Sequence, residues 1–396
     1  MTKPLSRLPL AATRADTAAT FEIGASAPRA GIGAILDVDL DAIVANWRLL
    51  SATAGGVPAA AVVKADAYGL GAAPVAAALA RAGCAHFFVA HLEEAIALRA
   101  AVPGATVYVL HGLARGAEAA MRAHDLTPVL STLDQIAAWH DEAERVGERL
   151  PAALHLDTGM TRLGLSEAEV ETLAAEPARL AGLDLRLVLS HLASAEEPEN
   201  PSNERQRATF ERLRARLPKA PASFANSSGV FLGAPWHFDL LRPGAALYGV
   251  APRADAPNPL MPVVRLSARV LRLADLPAGV PVGYGGRFVT SRPTRIATVS
   301  VGYADGFLRA LAGKANAGFA GVKLPIVGAI SMDMITVDVS ALADGALREG
   351  DFVDVIGGHA DDVDRLARAA GTIGYEILTS LGARYQRRWI SHLSAF

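Results

Sequence analysis

Lys64 stands at the end of an apolar run, and this position is the first sign of chemistry in the chain. The residues before it, 59–63, are all alanine or valine, and a turn containing Gly69 and Gly71 follows. A lysine at the end of a buried strand is partly desolvated, which lowers its pKa and frees its amine to react with a carbonyl group. The local pattern leaves one alternative open, a surface lysine whose stem packs while its amine reaches water.

Several other kinds of site are missing from the sequence. It contains no glycine-rich phosphate loop, no dinucleotide-binding fingerprint and no serine turn of the hydrolase type. Histidine, cysteine and carboxylate residues show no metal-ligand spacing, since His155 and Asp157 would point to opposite faces of a strand. We therefore expect no metal, and a chemistry of lysine, arginine and tyrosine that indicates an organic cofactor.

Short apolar runs alternate with alanine-rich helical segments over the first two thirds of the chain. This alternation predicts parallel strands joined by crossover helices. With so many repeats we expect an α/β fold, a closed (β/α)8 barrel of the TIM type, and a doubly wound sheet is the alternative. The candidate strands are 59–63, 86–90, 106–110, 127–130, 153–156, 186–189 and 222–224, with helices at 73–82 and 92–101.

Polar side chains recur at the ends of these predicted strands, and this recurrence favours the barrel. Barrel enzymes build their sites from residues at the C-terminal ends of many strands. Each residue taken singly also fits a turn or a cap. The residues concerned are Lys64, His111, Asp157, His191, Asn226 and Ser227.

The sequence pattern changes after about residue 260, where β-rich runs separated by Gly, Pro and Asp replace the alternation. The change predicts a flexible N-terminal extension at 1–34, a joining strand at 35–44, a barrel at 45–260 and a second domain at 261–396. We expect this second domain to be smaller and mostly antiparallel β. Its candidate strands are 263–273, 294–302, 324–330, 335–339 and 352–356, with helical signal mainly at 361–370.

The composition and charge of the chain narrow the kinds of partner that the protein could bind. A formal net charge of -2 gives no general attraction to nucleic acid or to an anionic membrane. No apolar stretch reaches the roughly 20 residues that a membrane-spanning helix needs. Cys84 is the only cysteine, lies in an alanine-rich stretch and fits a buried thiol in a reducing compartment. We expect a cytoplasmic protein without a nucleic-acid or membrane partner.

Eight segments of the chain, among them VKADAYG at 63–69 and GYADG at 302–306, resemble in order the motifs of the alanine racemase family. Residues 63–69, VKADAYG, resemble the family's cofactor-lysine motif, and residues 302–306, GYADG, resemble the segment that carries its second base. Any one match could be chance, but their joint order makes chance negligible. The other matching segments are 157–164, 190–193, 225–228, 242–249, 331–333 and 374–378.

This resemblance implies an isomerase that uses pyridoxal 5'-phosphate to interconvert L-alanine and D-alanine, supplying D-alanine for peptidoglycan. Lys64 would carry the cofactor, and Lys64 and Tyr303 would be the two catalytic bases on opposite faces of the substrate. A tyrosine with an ordinary pKa of about 10 is a poor base at neutral pH, so we expect positive charge near Tyr303. The resemblance also implies a homodimer with shared active sites, Lys64 and Tyr303 coming from different subunits.

The cofactor's phosphate would be bound by four residues. By resemblance they are Tyr68, Ser227, Gly244 and Tyr375. Ser227 and Gly244 follow late strands of the predicted barrel, where such folds often bind phosphate.

Four further residues would orient the cofactor and the substrate. Arg242 would face the pyridine nitrogen, with His191 orienting it. Because a guanidinium keeps its proton, that nitrogen would stay unprotonated, which restricts side reactions. Arg162 would contact the cofactor's phenolic oxygen and the substrate carboxylate, and Met332 would offer its backbone N–H to that carboxylate.

One position departs from the family pattern. Many relatives have a lysine, often carbamylated, two residues before Asp157, and this chain has His155 there. The negative charge beside Arg162 is therefore missing, and either an anion such as chloride or nothing replaces it. Two rival functions stay open at this point. One is another enzyme on the same scaffold, a broad-specificity racemase or a decarboxylase, and the other is a non-catalytic cofactor-binding barrel, against which Tyr303 argues.

Overall fold

The computed structural model describes residues 27–391 of the 396-residue chain. The predicted extension at 1–34 lies outside the described residues over its first 26 positions. Two bodies follow, a parallel barrel and a second sheet that is mostly antiparallel. No helix in the described range is both long and apolar enough to cross a membrane.

The first strand, β1 (Ala34–Asp39), is shorter than the strand predicted at 35–44, because a helix begins at residue 40. Asp39 ends the strand as the N-cap of α1 (Leu40–Thr53), where its carboxylate accepts the Ala42 N–H at 2.8 Å. A carboxylate at this position satisfies one of the free N–H groups of the first helical turn. Residues 40–44 are therefore helical, with Ile43 and Val44 buried beside the barrel.

Seven parallel strands form the barrel wall, and their order around the sheet is their order in the chain. Each lies at or within a few residues of a predicted strand, and each is followed by a connection back to the same end of the barrel. They are β2 (Ala61–Val62), β3 (His86–Val89), β4 (Thr106–Val109), β5 (Leu126–Leu130), β6 (Leu150–His155), β7 (Leu183–Leu189) and β8 (Ala222–Ser223).

An irregular segment at residues 240–243 closes the ring between β8 and β2. Leu241 exchanges backbone hydrogen bonds of 2.9 Å with Pro58 and Ala60, on the side of β2. On the side of β8, the Arg242 N–H donates to the Ala225 carbonyl, also at 2.9 Å. The eighth position is thus filled, which confirms the barrel prediction and rules out the open, doubly wound sheet.

Helices connect the barrel strands, and they bury apolar residues at helical spacing. In the long sixth helix, Ile136, Trp139 and Ala143 lie on one buried stripe. The barrel helices after α1 are α2 (Lys64–Gly69), α3 (Ala72–Arg81), α4 (Leu92–Arg99), α5 (Glu118–Ala123), α6 (Leu133–Val146), α7 (Glu167–Ala175) and α8 (Pro201–Arg214).

The second sheet has eight strands, which are β1, β9 (Val264–Leu276), β12 (Thr294–Val299), β13 (Asn316–Phe319), β14 (Val322–Val327), β15 (Ile335–Asp338), β16 (Phe352–Ile356) and β17 (Gln386–Ile390). Their order in the sheet is β12-β15-β14-β13-β16-β9-β1-β17, and β12 also pairs with β9. Within the sheet only β1 and β17 run parallel, with Ile35 opposite Gln386. The N-terminal strand β1 therefore belongs to the β domain although the barrel separates it from the rest. Two further strands, β10 (Pro281–Val282) and β11 (Phe288–Val289), pair with each other in a separate two-stranded sheet.

Two short helices follow β16 and complete the described part of the β domain. They are α9 (Val363–Ala370) and α10 (Gly374–Thr379). The second of them brings Tyr375 and Thr379 to the mouth of the barrel.

Candidate active site

A cavity of about 630 Å³ opens at the C-terminal ends of the barrel strands. This volume lies within the range of small-molecule sites. His155 lies in its wall, and eight of the ten predicted site residues line it as well: Lys64, Tyr68, Arg162, His191, Ser227, Arg242, Gly244 and Tyr375.

Lys64 lies two residues after the end of β2 and lines this cavity. Burial and the nearby charge of Arg162 lower the pKa of the Lys64 amine, and the Glu94 carboxylate opposes this shift. A lowered pKa increases the unprotonated fraction of the amine at neutral pH, which is the form that attacks a carbonyl group.

The backbone after Lys64 is unusual, because the single turn α2 is left-handed. Residues 65–68 have φ angles between 53° and 57°. For residues other than glycine this conformation costs roughly 1–2 kcal/mol each, so surrounding contacts must hold it. The Ala67 N–H donates to the Val63 carbonyl at 2.9 Å, and the Ala65 N–H donates to Glu94 Oε1 at 2.6 Å.

Ser227 marks a polar corner of the cavity. Its Oγ accepts the backbone N–H groups of Gly244 at 3.0 Å and Ala246 at 3.1 Å. A Cβ at Gly244 would overlap the Tyr68 hydroxyl, so only glycine allows this close approach. Burial raises the pKa of Tyr375 to about 12 and that of Tyr68 further, so both hydroxyls keep their protons and can donate.

Arg242 is a buried cation in the cavity wall. Its guanidinium donates to Ser223 Oγ at 2.6 Å and to the Ser190 carbonyl oxygen. Burial lowers the pKa of Arg242 to about 9, which still leaves the side chain charged at neutral pH. Of the described residues that line the cavity, none is a carboxylate.

Two of the three histidines that line the cavity, His155 and His191, stay neutral at neutral pH. Burial and the charge of Arg242 lower the pKa of His155 to about 4 and that of His191 well below its ordinary value. His155 Nδ1 is buried and finds no hydrogen-bond partner in the described part of the chain. An unpartnered buried ring nitrogen is free to interact with a bound group.

The loop that carries Arg162 is fixed by Asp157. One carboxylate oxygen, Oδ1, accepts the N–H groups of Gly159, Met160 and Thr161 at distances of 2.9 to 3.1 Å. The Arg162 guanidinium makes no ion pair within residues 27–391 and extends toward the cavity. Together with Lys64 and Arg242 it gives the cavity a positive field that suits an anion.

Tyr303 and Met332, the two remaining predicted site residues, do not line the cavity. They lie on the β domain, 40% and 53% exposed, respectively. The structure brings them together, since the Tyr303 N–H donates to the Ser331 carbonyl at 3.1 Å and the Ala304 N–H donates to the Met332 carbonyl at 3.0 Å. The expected positive charge is present, with Arg309 Cζ 5.9 Å from the Tyr303 ring centroid.

Arg384 ties the loops of Tyr303 and Met332 together. Its guanidinium holds Asp305, two residues after Tyr303, through bonds of 2.6 and 2.9 Å. A third bond, of 2.8 Å, reaches Asp333, the residue after Met332. We call this arrangement the Arg384 clamp.

Sequence reasoning missed several residues of the site. Glu94 lies in a segment predicted only as a helix, and no Ser or Thr stands three residues before it to signal its bond to the N-cap N–H of His91. Tyr248 lay inside a matched motif, and its hydroxyl donates to the Val62 carbonyl at 3.0 Å. Ser190 and Ser223 hold Arg242, and no spacing in the sequence indicates this.

Two family profiles cover nearly all of the described chain. The one described as "Alanine racemase, N-terminal domain" matches residues 38–252, and "Alanine racemase, C-terminal domain" matches residues 263–389. A curated relative from Mesorhizobium japonicum, named "Alanine racemase, catabolic", is 52% identical, with 94% of this chain and 98% of the relative covered.

Solved structures agree with these matches. The alanine racemase from Bartonella henselae, described with covalently bound pyridoxal phosphate, has a TM-score of 0.85 at 44% identity over 90% of this chain and 99% of its own. The biosynthetic alanine racemase from Pseudomonas aeruginosa has a TM-score of 0.81 at 36% identity, with 91% and 100% covered. Fold, cavity and relatives agree over almost the whole length, and the chain belongs to the alanine racemase family of isomerases.

Proposed function

We propose that this protein interconverts L-alanine and D-alanine with pyridoxal 5'-phosphate bound in the barrel cavity. One observation carries the proposal: three cationic side chains, Lys64, Arg162 and Arg242, meet in a cavity that no described carboxylate lines. Such a cavity suits a ligand with a phosphate and a substrate with a carboxylate. The Bartonella henselae relative, described with this cofactor covalently bound, supports the choice.

The residues present fit the cofactor. Lys64 would bind it covalently, and the corner of Tyr68, Ser227, Gly244 and Tyr375 would hold its phosphate. The missing Cβ of Gly244 and the protonated hydroxyls of the two tyrosines favour an acceptor-rich group there.

Other residues of the cavity suit the cofactor's ring. Arg242, still charged at neutral pH, would donate to the ring nitrogen, and neutral His191 would pack beside it. Arg162 would bind both the phenolic oxygen and the substrate carboxylate, since no ion pair within residues 27–391 engages its guanidinium.

Racemisation requires a proton to leave one face of the substrate Cα and another to arrive on the opposite face. The cofactor, when bound, withdraws electrons and acidifies that Cα–H bond. Lys64 Nζ would hold or deliver the proton on one face, helped by the burial that favours its neutral form. The Tyr303 hydroxyl would do the same on the other face, under the positive charge of Arg309. The Met332 N–H would bind the substrate carboxylate.

We also propose a homodimer in which each barrel cavity is completed by the β domain of the partner. The support is that Tyr303 and Met332 are exposed and that neither is among the residues lining the cavity of their own barrel. A two-fold axis makes such a contact reciprocal and gives two equivalent sites per dimer. Closing the cavity in this way would also exclude water from the substrate Cα.

We also propose that the reaction takes place in the cytoplasm. Whether the cell uses it to supply D-alanine or to consume alanine is a separate proposal. Supply of D-alanine for peptidoglycan is one candidate role. Use of D-alanine as a nutrient is the second, favoured by the name "catabolic" on the Mesorhizobium japonicum relative. Deleting the gene separates them, because loss of growth without added D-alanine supports supply, whereas loss of growth on alanine as the nitrogen source supports catabolism.

The central experiment is chiral product analysis on L-alanine together with an absorbance scan for bound cofactor. The wild type should produce D-alanine up to an equimolar mixture, and Lys64→Ala should lose both the cofactor band and racemisation. Lys219→Ala, at the other end of the barrel, is the matched control and should keep both. Borohydride reduction and peptide mapping should place the label on Lys64, and a label on Lys219, Lys314 or Lys323 would overturn the assignment.

A further inference from the structure

We propose that Glu94 is a positioning residue that fixes the left-handed turn carrying Lys64 and so keeps the lysine amine directed at the cofactor. The inference rests on the proposed function, since it takes Lys64 as the cofactor lysine. Glu94 lies on α4, in the βα unit that follows the one carrying Lys64. It makes no contact with the substrate in this proposal and acts only through Lys64.

The Glu94 carboxylate joins two loops at the mouth of the barrel. Oε1 accepts the Ala65 N–H at 2.6 Å, on the peptide group directly after Lys64. Oε2 accepts the N–H groups of Ala90 at 2.8 Å and His91 at 3.1 Å, at the start of its own helix. The bonds to Ala90 and His91 are those of a helix cap, whereas the bond to Ala65 crosses to the neighbouring unit.

The left-handed turn needs such an anchor. The Ala67 N–H donates to the carbonyl of Val63, the residue before the turn, at 2.9 Å. At Ala65 the N–H is satisfied by Glu94 instead, and a bond to a carboxylate is about twice as strong as one to a neutral acceptor. Without it the first residue of an unfavourable conformation loses its partner, and the direction of the Lys64 side chain is no longer fixed.

Charge gives Glu94 a second influence on the same lysine. Burial and Arg162 lower the pKa of Lys64, and the Glu94 carboxylate raises it. His111 and His191 also face this amine, since each has its own pKa lowered in part by Lys64. Glu94 is the carboxylate in this group, so its removal should move Lys64 further toward the neutral form.

The test uses Glu94→Gln, with Glu93→Gln as the matched control. Glutamine keeps the shape, but its amide nitrogen cannot accept, so one of the two loops loses its bond. Glu93 is exposed in the same helical turn. We measure the rate of cofactor loss from the full-length loaded protein. In full-length protein freed of cofactor, we also follow the pH midpoint of Lys64 labelling by trinitrobenzenesulfonate, mapped by peptide.

Glu94→Gln should lose cofactor about tenfold faster than wild type, as expected for one charge-assisted hydrogen bond. Its Lys64 labelling midpoint should fall to lower pH, and Glu93→Gln should match wild type in both measurements. Glu94→Asp, which keeps the charge but is too short to span both loops, should release cofactor faster with a smaller change of midpoint. If Glu94→Gln folds poorly, Glu94→Asp tests the inference in its place.

A purely structural cap gives a different result. Glu94→Gln would then melt at lower temperature while its cofactor loss and Lys64 midpoint equal those of Glu93→Gln, and the inference would be wrong. Failure of the proposed function is distinguishable, because a cofactor bound to another lysine appears in the wild-type peptide map before any variant is made.

Discussion

His155 is buried in the cavity wall as a neutral ring, at a position where many members of the family have a lysine. Besides burial, the positive charges of Arg242 and Arg162 lower the pKa of His155. A proton on its ring would therefore add a third positive charge to a buried part of the cavity wall. The ring therefore cannot replace the missing negative charge beside Arg162. The carboxylate of Asp157, which raises the pKa of His155, is the opposing influence.

This burial predicts a pH dependence of stability. His155 has a pKa of about 4 in the folded protein, against 6.5 for an unperturbed histidine. Between pH 6.5 and pH 4, His155 binds a proton in the unfolded chain but not in the folded protein. The free energy of unfolding should therefore fall as the pH drops from 6.5 toward 4, by up to about 3 kcal/mol. Urea denaturation at several pH values measures it. His155→Asn should show a flatter slope than wild type.

Exposed His359 provides the control for this slope. His359→Asn should keep the wild-type dependence on pH, since its ring is exposed to solvent and lies outside the cavity wall. Equal slopes for wild type and His155→Asn would mean that His155 takes up its proton equally in the folded and unfolded protein, and the prediction would be wrong.

Much of the candidate site could be predicted from the sequence, because its residues are recognisable singly or within short motifs. Lysine after an apolar strand, and arginine or serine within an ordered set of motifs, are visible in the residues themselves, and eight of them meet in one cavity. Their individual roles stay predictions. Ser190, Ser223 and Glu94 were missed because they act through backbone and side-chain contacts that only the folded chain creates.

Among the elements, the strands with strong apolar runs were predicted within a few residues, whereas several other features were not, among them the strands β13 and β17. The closing segment at 240–243 has no regular strand pattern, because it makes only a few bonds to each neighbour. The segment 35–44, expected to be a strand, is half helix, because Asp39 caps a helix that begins at residue 40. Local pattern also predicts a strand without predicting its partners, so the place of β1 in the β domain could not be foreseen.

The loops that carry Tyr303 and Met332 give a prediction about the Arg384 clamp. Arg384→Lys keeps the positive charge but loses the fork that reaches both Asp305 and Asp333. The two loops should then move relative to each other, and kcat should fall about ten- to a hundredfold, as expected for a small misplacement of catalytic groups. Steady-state kinetics in both directions measure the change.

A surface pair provides the control for the clamp. Arg292→Lys alters a single exposed ion pair to Asp338 on another part of the β domain and should leave kcat unchanged. If Arg384→Lys and Arg292→Lys behave alike, the clamp does not position the two loops.

At the scale of the whole molecule, the separation of Lys64 from Tyr303 makes the proposed dimer testable by complementation. Lys64→Ala and Tyr303→Phe should each be inactive alone. When their subunits are exchanged, half of the dimers are mixed, and each mixed dimer has one site with both lesions and one with neither. About a quarter of the wild-type activity should therefore return.

The control for complementation is a mixture of Lys64→Ala with Arg242→Ala. Both changes lie in the barrel cavity, so every site of a mixed dimer carries one of them and no activity should return. Subunit exchange is verified with differently tagged chains. Exchange without any recovery in the first mixture would place both bases in one chain and contradict the shared site.

The position of β1 between β9 and β17 has a consequence for how the chain is made. The ion pair between Asp37 and Arg388 joins residues 351 positions apart, so the ribosome synthesises the whole barrel between them. At about 5–20 residues per second this takes roughly 20 to 70 seconds, during which β1 has left the exit tunnel without its parallel neighbour. An apolar strand with unpaired edges is open to wrong partners for that interval. The barrel can thus form during translation, whereas the β domain is completed only once translation has reached β17.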